Sequence, residues 1–351
     1  MSSLTEVSQS TKKILKVSGI LLAAFFVFKL GSGLFVKYWQ QAHPPKEAPP
    51  AMRFGAIPKL TLENTVKSSG YSFKLETPTN TLPALKDRVD IYYSPYSKPN
   101  LLALEKAKKQ ALLLGFIQEE KKLTEKNYQW QNSTNKTSLE MNIFNGTFTL
   151  RYDWQLDQNL TGYKLLTNTD QAIIKVKQYL AQTGLMPEDL SDNTIETQYM
   201  KISGQQMVPA VSQSEASMVK IDFYRQDIEG LPVKTIKAKN GVIQIIVTDA
   251  GNTGINGIIL INYQYFPIDY GAFSDYPLAS SASLWNQFIA GGGYIISSPS
   301  IKTDTVTLRR VYMGYIDTLI EQKFLQPVLF FEGDNDFLGF IPALNDTVYK
   351  Q

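Results

Sequence analysis

The feature that most limits the fold of this chain is one long apolar run, Ile14–Val36, close to its amino end. A helix rises about 1.5 Å per residue, so the run would form a helix of about 35 Å, whereas the hydrocarbon core of a bilayer measures about 30 Å. Lys29 lies within the run, but the apolar residues around it outweigh its cost, and its aliphatic stem can reach toward the interface. We therefore predict a transmembrane helix within residues 12–39.

The charges that flank this run predict its orientation. Lys12, Lys13 and Lys16 precede it, whereas Lys37 is the only cation close behind it. The positive-inside rule favours a cytoplasmic tail, residues 1–11, and an extracytoplasmic bulk of the chain. A cleaved signal peptide is the alternative, although no A-x-A-like cleavage site follows the run. Lys29 either extends to the interface or pairs with an acidic residue in a partner's membrane helix.

Composition excludes several kinds of chemistry. The chain has no cysteine, so it forms neither disulfides nor thiolate metal sites, and an exported domain of this kind fits a bacterial cell envelope. Its one histidine, His43, lies in a Pro-rich linker, residues 40–58, which leaves no imidazole base or ligand for a folded domain. The net charge of +3 is small and dispersed, which argues against nucleic acid as a partner.

Residues 59–165 are predicted to form a first α+β module. Asn100 is expected to cap a helix, and Gly115 fits the left-handed position that ends one. The apolar stripe of this helix is predicted to contain Leu101, Leu104, Ala107, Ala111 and Leu114. Asn145-Gly146 predicts a two-residue hairpin. The predicted strands are Tyr71–Glu76, Arg88–Tyr93, Tyr128–Trp130, Leu139–Ile143 and Phe148–Tyr152.

The pattern returns in residues 166–270, which predicts a second module. Thr169 is expected to cap its helix, Gly184-Leu185 takes the place of Gly115-Phe116, and Asn240-Gly241 predicts another hairpin. Its predicted strands are Glu196–Ile202, Met218–Arg225, Val242–Asp249 and Ile258–Phe266.

Residues 271–351 are predicted to form a third, shorter α+β module. Its helix is expected to be capped by Ser281 and closed by Gly291-Gly292-Gly293. The remaining predicted segments are the strands Thr305–Met313 and Pro327–Glu332, the turn Gly333–Asp336 and the final segment Phe337–Ala343. The predicted fold class is therefore α+β, a transmembrane helix followed by repeated helix-on-antiparallel-sheet modules.

Three clusters invite a chemical interpretation, and each has a simpler one. Gly291-Gly292-Gly293 closes a helix, whereas a phosphate-binding loop opens one. Glu332, Asp334 and Asp336 lack the order of a calcium loop and fit a hairpin turn. Arg309 and Arg310 are adjacent in a predicted strand, so they would face opposite sides rather than clamp one anion, and one of them could be paired internally.

Two hydrolase mechanisms remain open without histidine or cysteine. Paired carboxylates can hydrolyse glycosides, but no spacing singles out Asp222, Asp227 or Glu229. A Ser–Lys mechanism would need a Ser-x-x-Lys motif at a helix start, which is missing. No catalytic, cofactor-binding or metal-binding residue is therefore predicted. The polar insertion Ser203–Ser217 is either a contact surface or a disordered loop tip.

The layout resembles the YycH/YycI-type membrane-anchored regulatory proteins, whose modules resemble PepSY domains. The part most similar to that pattern is Ala282–Ala343, with Leu284-Trp285, Gly291-Gly292-Gly293, Leu325-Gln326-Pro327-Val328 and Phe331-Glu332-Gly333. Members of that family regulate an envelope-sensing histidine kinase in Gram-positive bacteria. The resemblance includes no catalytic motif, so it assigns no functional residue.

The resemblance implies a single-pass, membrane-tethered extracytoplasmic interaction module that regulates a partner and is not an enzyme. The expected partners are the lipid bilayer and another membrane or envelope protein, without nucleic acid or a cofactor. Two other functions stay open. The chain could be a scaffold subunit of an envelope or secretion complex, or a carboxylate-based envelope hydrolase.

Overall fold

The structure is a computed structural model, and it divides into two compact units, Met1–Pro49 and Pro50–Gln351. It describes residues 4–42, 49–63, 65–95, 97–157, 160, 162–165, 168–190, 194–250, 253–298 and 305–350. In the first unit, one helix, α1, extends over Leu4–Ala42. Its segment Leu15–Trp39 is long and apolar enough to cross a membrane, a test that a signal sequence also passes.

The second unit contains three α-helices and eighteen strands among the residues described. The helices are α2 (Ala103–Leu113), α3 (Thr169–Gln182) and α4 (Ser281–Gln287). The first nine strands are β1 (Val66–Lys67), β2 (Ser72–Leu75), β3 (Arg88–Tyr93), β4 (Lys121–Lys122), β5 (Asn127–Asn132), β6 (Thr137–Asn142), β7 (Phe148–Tyr152), β8 (Ile195–Ser203) and β9 (Gln206–Pro209). The others are β10 (Met218–Phe223), β11 (Val233–Thr235), β12 (Ile243–Val247), β13 (Ile258–Tyr263), β14 (Asp269–Pro277), β15 (Tyr294–Ser297), β16 (Thr305–Asp317), β17 (Phe324–Gly333) and β18 (Leu338–Pro342).

These strands form two nine-stranded sheets. The first sheet is antiparallel throughout, in the order β4-β5-β6-β7-β13-β12-β10-β8-β9. The second sheet follows the order β1-β15-β18-β17-β16-β11, and it also includes β2, β3 and β14. Strands β2 and β11 run parallel to β16. The fold thus contains both helices and strands, with many strands and few helices. This general description agrees with the predicted α+β class. PepSY-like repeats within it stay a prediction.

Two helices, α2 and α3, pack on one face of the first sheet. In β6, Leu139 and Met141 are buried in this core whereas Glu140 between them is exposed, the alternation expected of a sheet covered on one side. Both helices end in the same way. Gly115 and Gly184 adopt positive φ angles, and the next residue donates its backbone N–H to a carbonyl of the last turn. The predicted glycine positions are therefore confirmed.

The predicted helix starts need correction. Asn168, not Thr169, caps α3, since its side chain accepts a hydrogen bond from the Gln171 amide. Ser280, not Ser281, does the same for α4. In α2 the helix begins only at Ala103, so the predicted inward-facing Leu101 is fully exposed.

The two sheets cut across the predicted module boundaries at residues 165/166 and 270/271. The first sheet continues from Lys121 to Tyr263. The second sheet combines β2 and β3, which lie in residues 59–165, with strands of residues 269–342. Pairing between segments more than 170 residues apart gives no local sequence signal, because the alternation within a strand does not show which strand it pairs with.

The predicted linker, residues 40–58, is also shorter than expected. Ala51 and Arg53 donate backbone hydrogen bonds to the side chains of Asp275 and Ser274. Ile57 is fully buried and forms a bridge with Tyr349 near the end of the chain. Residues 51–58 therefore belong to the folded unit, whereas His43, Pro44 and Pro45 lie outside the described residues.

The Asn240-Gly241 hairpin was predicted wrongly. Between β10 and β12 the chain leaves the first sheet and adds β11 to the second sheet, parallel to β16. Gly241 is needed for a close approach rather than for a turn, since a Cβ atom there would lie 2.3 Å from the carbonyl oxygen of Phe223. By contrast, Asn145-Gly146 does lie in a hairpin, although residues 143–147 make its loop longer than two residues.

We expect Gly241→Ala to lower the free energy of unfolding by about 1–3 kcal/mol, because the added methyl group meets backbone atoms that cannot rotate away. Denaturant titration of the full chain in detergent, followed by tryptophan fluorescence, measures this change. Gly70→Ala is the control, since a Cβ atom there meets nothing within 4 Å. Equal stability of the two variants would contradict the prediction.

Candidate functional site

A buried polar cluster of the folded unit surrounds Arg225, two residues after β10. Its guanidinium group is ion-paired with Asp189 and, at 2.8 Å, with Asp317 at the end of β16. It also donates to the carbonyl oxygen of Phe266 and lies over the ring of Tyr265 at 4.5 Å. The cluster connects the two sheets. Burial disfavours the charge, but the two carboxylates outweigh this effect and raise the pKa of Arg225.

Two tyrosines complete this cluster. The hydroxyl groups of Tyr265 and Tyr270 each donate a 2.8 Å hydrogen bond to Asp189. Burial, followed by the charge of Asp189, raises the pKa of both phenols, so they stay neutral donors at physiological pH. The charged and polar groups of this cluster are thus bonded to one another, which fits a structural role in which the cluster holds the two sheets together. The sequence analysis did not predict this cluster. An arginine two residues after the fully buried strand β10 was a signal that could have indicated it.

A second buried carboxylate, Asp222 in β10, was considered as a hydrolase residue. It accepts the Gly241 amide at 3.0 Å and the Gln244 side chain at 3.2 Å, and Lys220 lies 3.0 Å away. Burial raises the pKa of Asp222 despite these three partners. Asp227 and Glu229 follow in the segment before β11.

Because the pKa of Asp222 is raised on folding, its contribution to stability is complete below its unfolded pKa of about 4 and falls as the pH rises. Asp222→Asn removes this titration. We therefore expect the difference in free energy of unfolding, wild type minus variant, to be larger at pH about 4 than at neutral pH. Urea titrations at the two pH values measure it. A difference that grows toward neutral pH would mean that Lys220 and the Gly241 amide outweigh burial.

The acidic residues considered as calcium ligands are each held by cations. Glu332 is ion-paired with Arg310 at 3.0 Å, and Asp336 with Lys239 at 3.3 Å. Asp334 accepts two hydrogen bonds of 2.8 Å from Arg309. Among the residues described, no group of histidine, aspartate or glutamate side chains is arranged to hold a metal ion.

The arginine pair departs from simple strand alternation. A register irregularity between Leu308 and Arg310 leaves both Arg309 and Arg310 exposed. Arg309 binds Glu76 and Asp334, whereas Arg310 binds Glu332. Each guanidinium therefore has its own carboxylate partners, and the two do not form a joint anion clamp.

The glycines Gly291-Gly292-Gly293 end the helical segment, as predicted, because a π-helical turn, Phe288–Gly292, continues α4. Gly291 has φ of 91°, and a Cβ atom on Gly293 would lie 2.2 Å from the ring of Phe288. Ser68 donates to the carbonyl oxygen of Phe288 at 2.7 Å and accepts from the Gly293 amide at 3.1 Å. The glycine segment therefore packs against Phe288 and Ser68, which agrees with a structural role at the end of a helix.

The polar insertion Ser203–Ser217 forms an edge hairpin. Its strand β9 pairs with β8 and is the last strand of the first sheet. Lys201 and Glu215 form an ion pair of 2.7 Å across its base, and Val211 is 91% exposed. The outer edge of β9 is available for strand addition, although Pro209 lacks an amide hydrogen and shortens it. The insertion is thus a defined element with an accessible edge.

A groove of about 690 Å³ lies on the face of the first sheet opposite α2 and α3, and it reaches this edge hairpin. Polar and apolar side chains both line it, among them Gln129, Gln131, Ser138, Arg151, Trp154 and Met207. Another groove, of about 590 Å³, contains both lysines and carboxylates, which select no single class of ligand.

A third feature is an apolar surface on α2. Leu101, Leu102, Leu112, Leu113 and Ile117 are all more than half exposed, and we call these five residues the α2 surface. Leu101 and Ile117 lie just beyond the two ends of the helix. The other three lie on the side of the helix that faces away from the sheet, because Ala103, Ala107 and Ala111 occupy the buried side. Exposed apolar residues gathered in this way mark an interaction surface more often than isolated ones do.

Comparison with known proteins gives only distant likenesses. No protein-family model matches the chain, and no curated protein matches it. An uncharacterized protein from Eubacterium rectale ATCC 33656 has a TM-score of 0.40 and 9% identity, with 78% of this chain and 89% of that chain covered. YycH from Bacillus subtilis has a TM-score of 0.33 and 13% identity, with 74% of this chain and 53% of YycH covered. At such TM-scores, neither likeness assigns a function or a site.

Proposed function

We propose that this protein is a membrane-tethered interaction module of a bacterial cell envelope, which acts on a partner protein without catalysing a reaction. The observation that carries the proposal is an apolar helical segment, Leu15–Trp39, placed ahead of a separate folded unit of about 300 residues. This arrangement suits a protein that presents a binding domain at a membrane surface. The lysines before the span favour a location of the folded unit outside the cytoplasm.

The edge hairpin is the proposed contact for the partner. An open strand edge offers main-chain hydrogen bonds to an added strand, and Val211 offers a fully exposed apolar side chain beside it. Binding of this kind shifts a partner between two conformations only if the module has different affinities for them. A regulatory role therefore requires that the contact be selective for one state of the partner.

Site-specific photo-crosslinking in the native host tests this function. A photoreactive residue at Val211 should capture one envelope protein, and replacing Ile14–Val36 with an unrelated anchor should abolish or weaken the capture. Met207→Pro should do so too, because it removes an outward-facing amide of β9, whereas alternate residues such as Ala210 donate inward to β8. Crosslinks only to a second copy of the chain would favour the scaffold alternative. Protease treatment of intact cells that leaves the folded unit uncut would overturn the proposed topology.

A further inference from the structure

Exposed lysines lie next to the leucines of the α2 surface, and this combination restricts the kind of ligand that can bind there. Leu102, Lys106, Lys109 and Leu113 follow one another at spacings of four, three and four residues, which places them on one outward face of the helix. Within the described chain, Lys106 and Lys109 take part in no recorded ion pair, whereas Lys108 on the flank is paired with Glu120 at 3.0 Å. The apolar and cationic groups of this face are thus both free to meet a ligand.

The surroundings add to this positive charge. Residues 98–126 contain seven lysines and four glutamates, so this short segment has a net charge of +3, equal to that of the whole chain. Lys121 and Lys122, in the edge strand β4, are exposed. On the outward face itself, Glu105 is the carboxylate, and it lies 3.9 Å from Lys108. An occupant should therefore be anionic and should accept apolar side chains at the same time.

A lipid surface has both properties, since anionic headgroups lie directly above acyl chains. The proposed tether also keeps such a surface near the folded unit. Residues 37–50 separate the apolar run Ile14–Val36 from the folded segment, and so short a stretch spans at most about 50 Å even when extended. Tethering makes such an encounter intramolecular, so a weak surface can be occupied most of the time.

We infer that the α2 surface binds the anionic lipid surface of the membrane in which the chain is anchored. The leucines enter the boundary between headgroups and acyl chains, and Lys106 and Lys109 lie beside lipid phosphates. This inference rests on the proposed membrane tether. It adds a second lipid contact that fixes which face of the folded unit turns toward the bilayer and leaves the edge hairpin as a separate contact.

The absence of cysteine allows a direct test with single labels on the full chain. Leu112→Cys and, as the control, Val211→Cys are labelled with an environment-sensitive NBD fluorophore and placed in nanodiscs of phosphatidylcholine and phosphatidylglycerol. Lipids with a doxyl quencher then report contact with the bilayer. We expect the label at position 112 to be quenched severalfold more strongly than the label at 211. Adding Lys106→Glu and Lys109→Glu, or omitting phosphatidylglycerol, should remove most of this quenching.

Equal quenching at the two positions would overturn the inference. A shift in the fluorescence of the 112 label that depends on protein concentration but not on doxyl lipid would assign the surface to a second copy instead, which also overturns it. A third label, at Phe28→Cys, separates this failure from failure of the tether. If that label is not quenched, the proposed membrane span is wrong. If it is quenched while position 112 is not, only the lipid contact of the α2 surface is wrong.

Discussion

Replacing Arg225 with methionine is expected to lower the free energy of unfolding by about 3–5 kcal/mol, because it leaves buried carboxylates without their cation. Asp189 and Asp317 are only 7% and 6% exposed, so water cannot solvate their charges in place of the guanidinium. Two further acceptors, the carbonyl oxygen of Phe266 and the ring of Tyr265, lose their partner at the same time. Methionine has a similar length, so the effect of lost volume stays small.

Chemical denaturation of the full chain in detergent, followed by near-ultraviolet circular dichroism, measures this loss. Arg309→Met is the matched control, because Arg309 also has two carboxylate partners but lies in solvent, where such pairs contribute little. The triple variant Arg225→Met, Asp189→Asn, Asp317→Asn should recover part of the lost stability, since it removes the unpaired charges. Similar stability of the Arg225 and Arg309 variants would show that the buried cluster does not hold the sheets together.

Phe288→Ala should lower the free energy of unfolding by a similar amount, about 3–5 kcal/mol, through the cavity that it leaves. Phe288 is fully buried at the end of α4, with ring centroids 4.0 Å from Phe331 and 4.8 Å from Phe73. It also fills the space that Gly293 and Gly339 leave open. The loss therefore concerns the second sheet, whose core depends on this aromatic group.

Fluorescence of tryptophan locates the effect of Phe288→Ala. Trp285 lies against Phe331 in the core of the second sheet, whereas Trp130 is buried in the first. Ile289→Ala, at the next position and 43% exposed, is expected to change stability by less than about 0.5 kcal/mol. If the Phe288 variant kept the stability of the Ile289 variant, the aromatic cluster would not be the centre of this core.

Local features of the fold could be predicted from the sequence where a residue type has a single structural explanation at its position. Gly115 and Gly184 ended helices because positive φ angles at those positions disfavour side chains. The strand Phe148–Tyr152 was predicted with its observed bounds, since its alternation and its Asn-Gly loop agree. The same reasoning gave a wrong prediction at Gly241. Close packing and turn formation both favour glycine, and the sequence alone does not distinguish these two causes.

Long-range pairing and the candidate surfaces could not be predicted to the same extent. Leu101 fits the apolar stripe of α2 by spacing, but the later start of the helix turns it outward. The cluster of Arg225 draws on Asp189, Tyr270 and Asp317, which are distant in sequence and individually ordinary. Only the three-dimensional fold brings such groups together, so the sequence did not predict this cluster.

The pairing of the first strands with the last has a consequence for how the protein is made. Strand β2 lies against β16, and Ile57 accepts a hydrogen bond from the amide of Lys350. During synthesis, the early segments of a nascent chain must therefore remain without their neighbours until the final portion has emerged. A premature stop codon before Thr305 would leave both segments without these neighbours permanently, so we expect truncated products to be cleared by quality-control proteases.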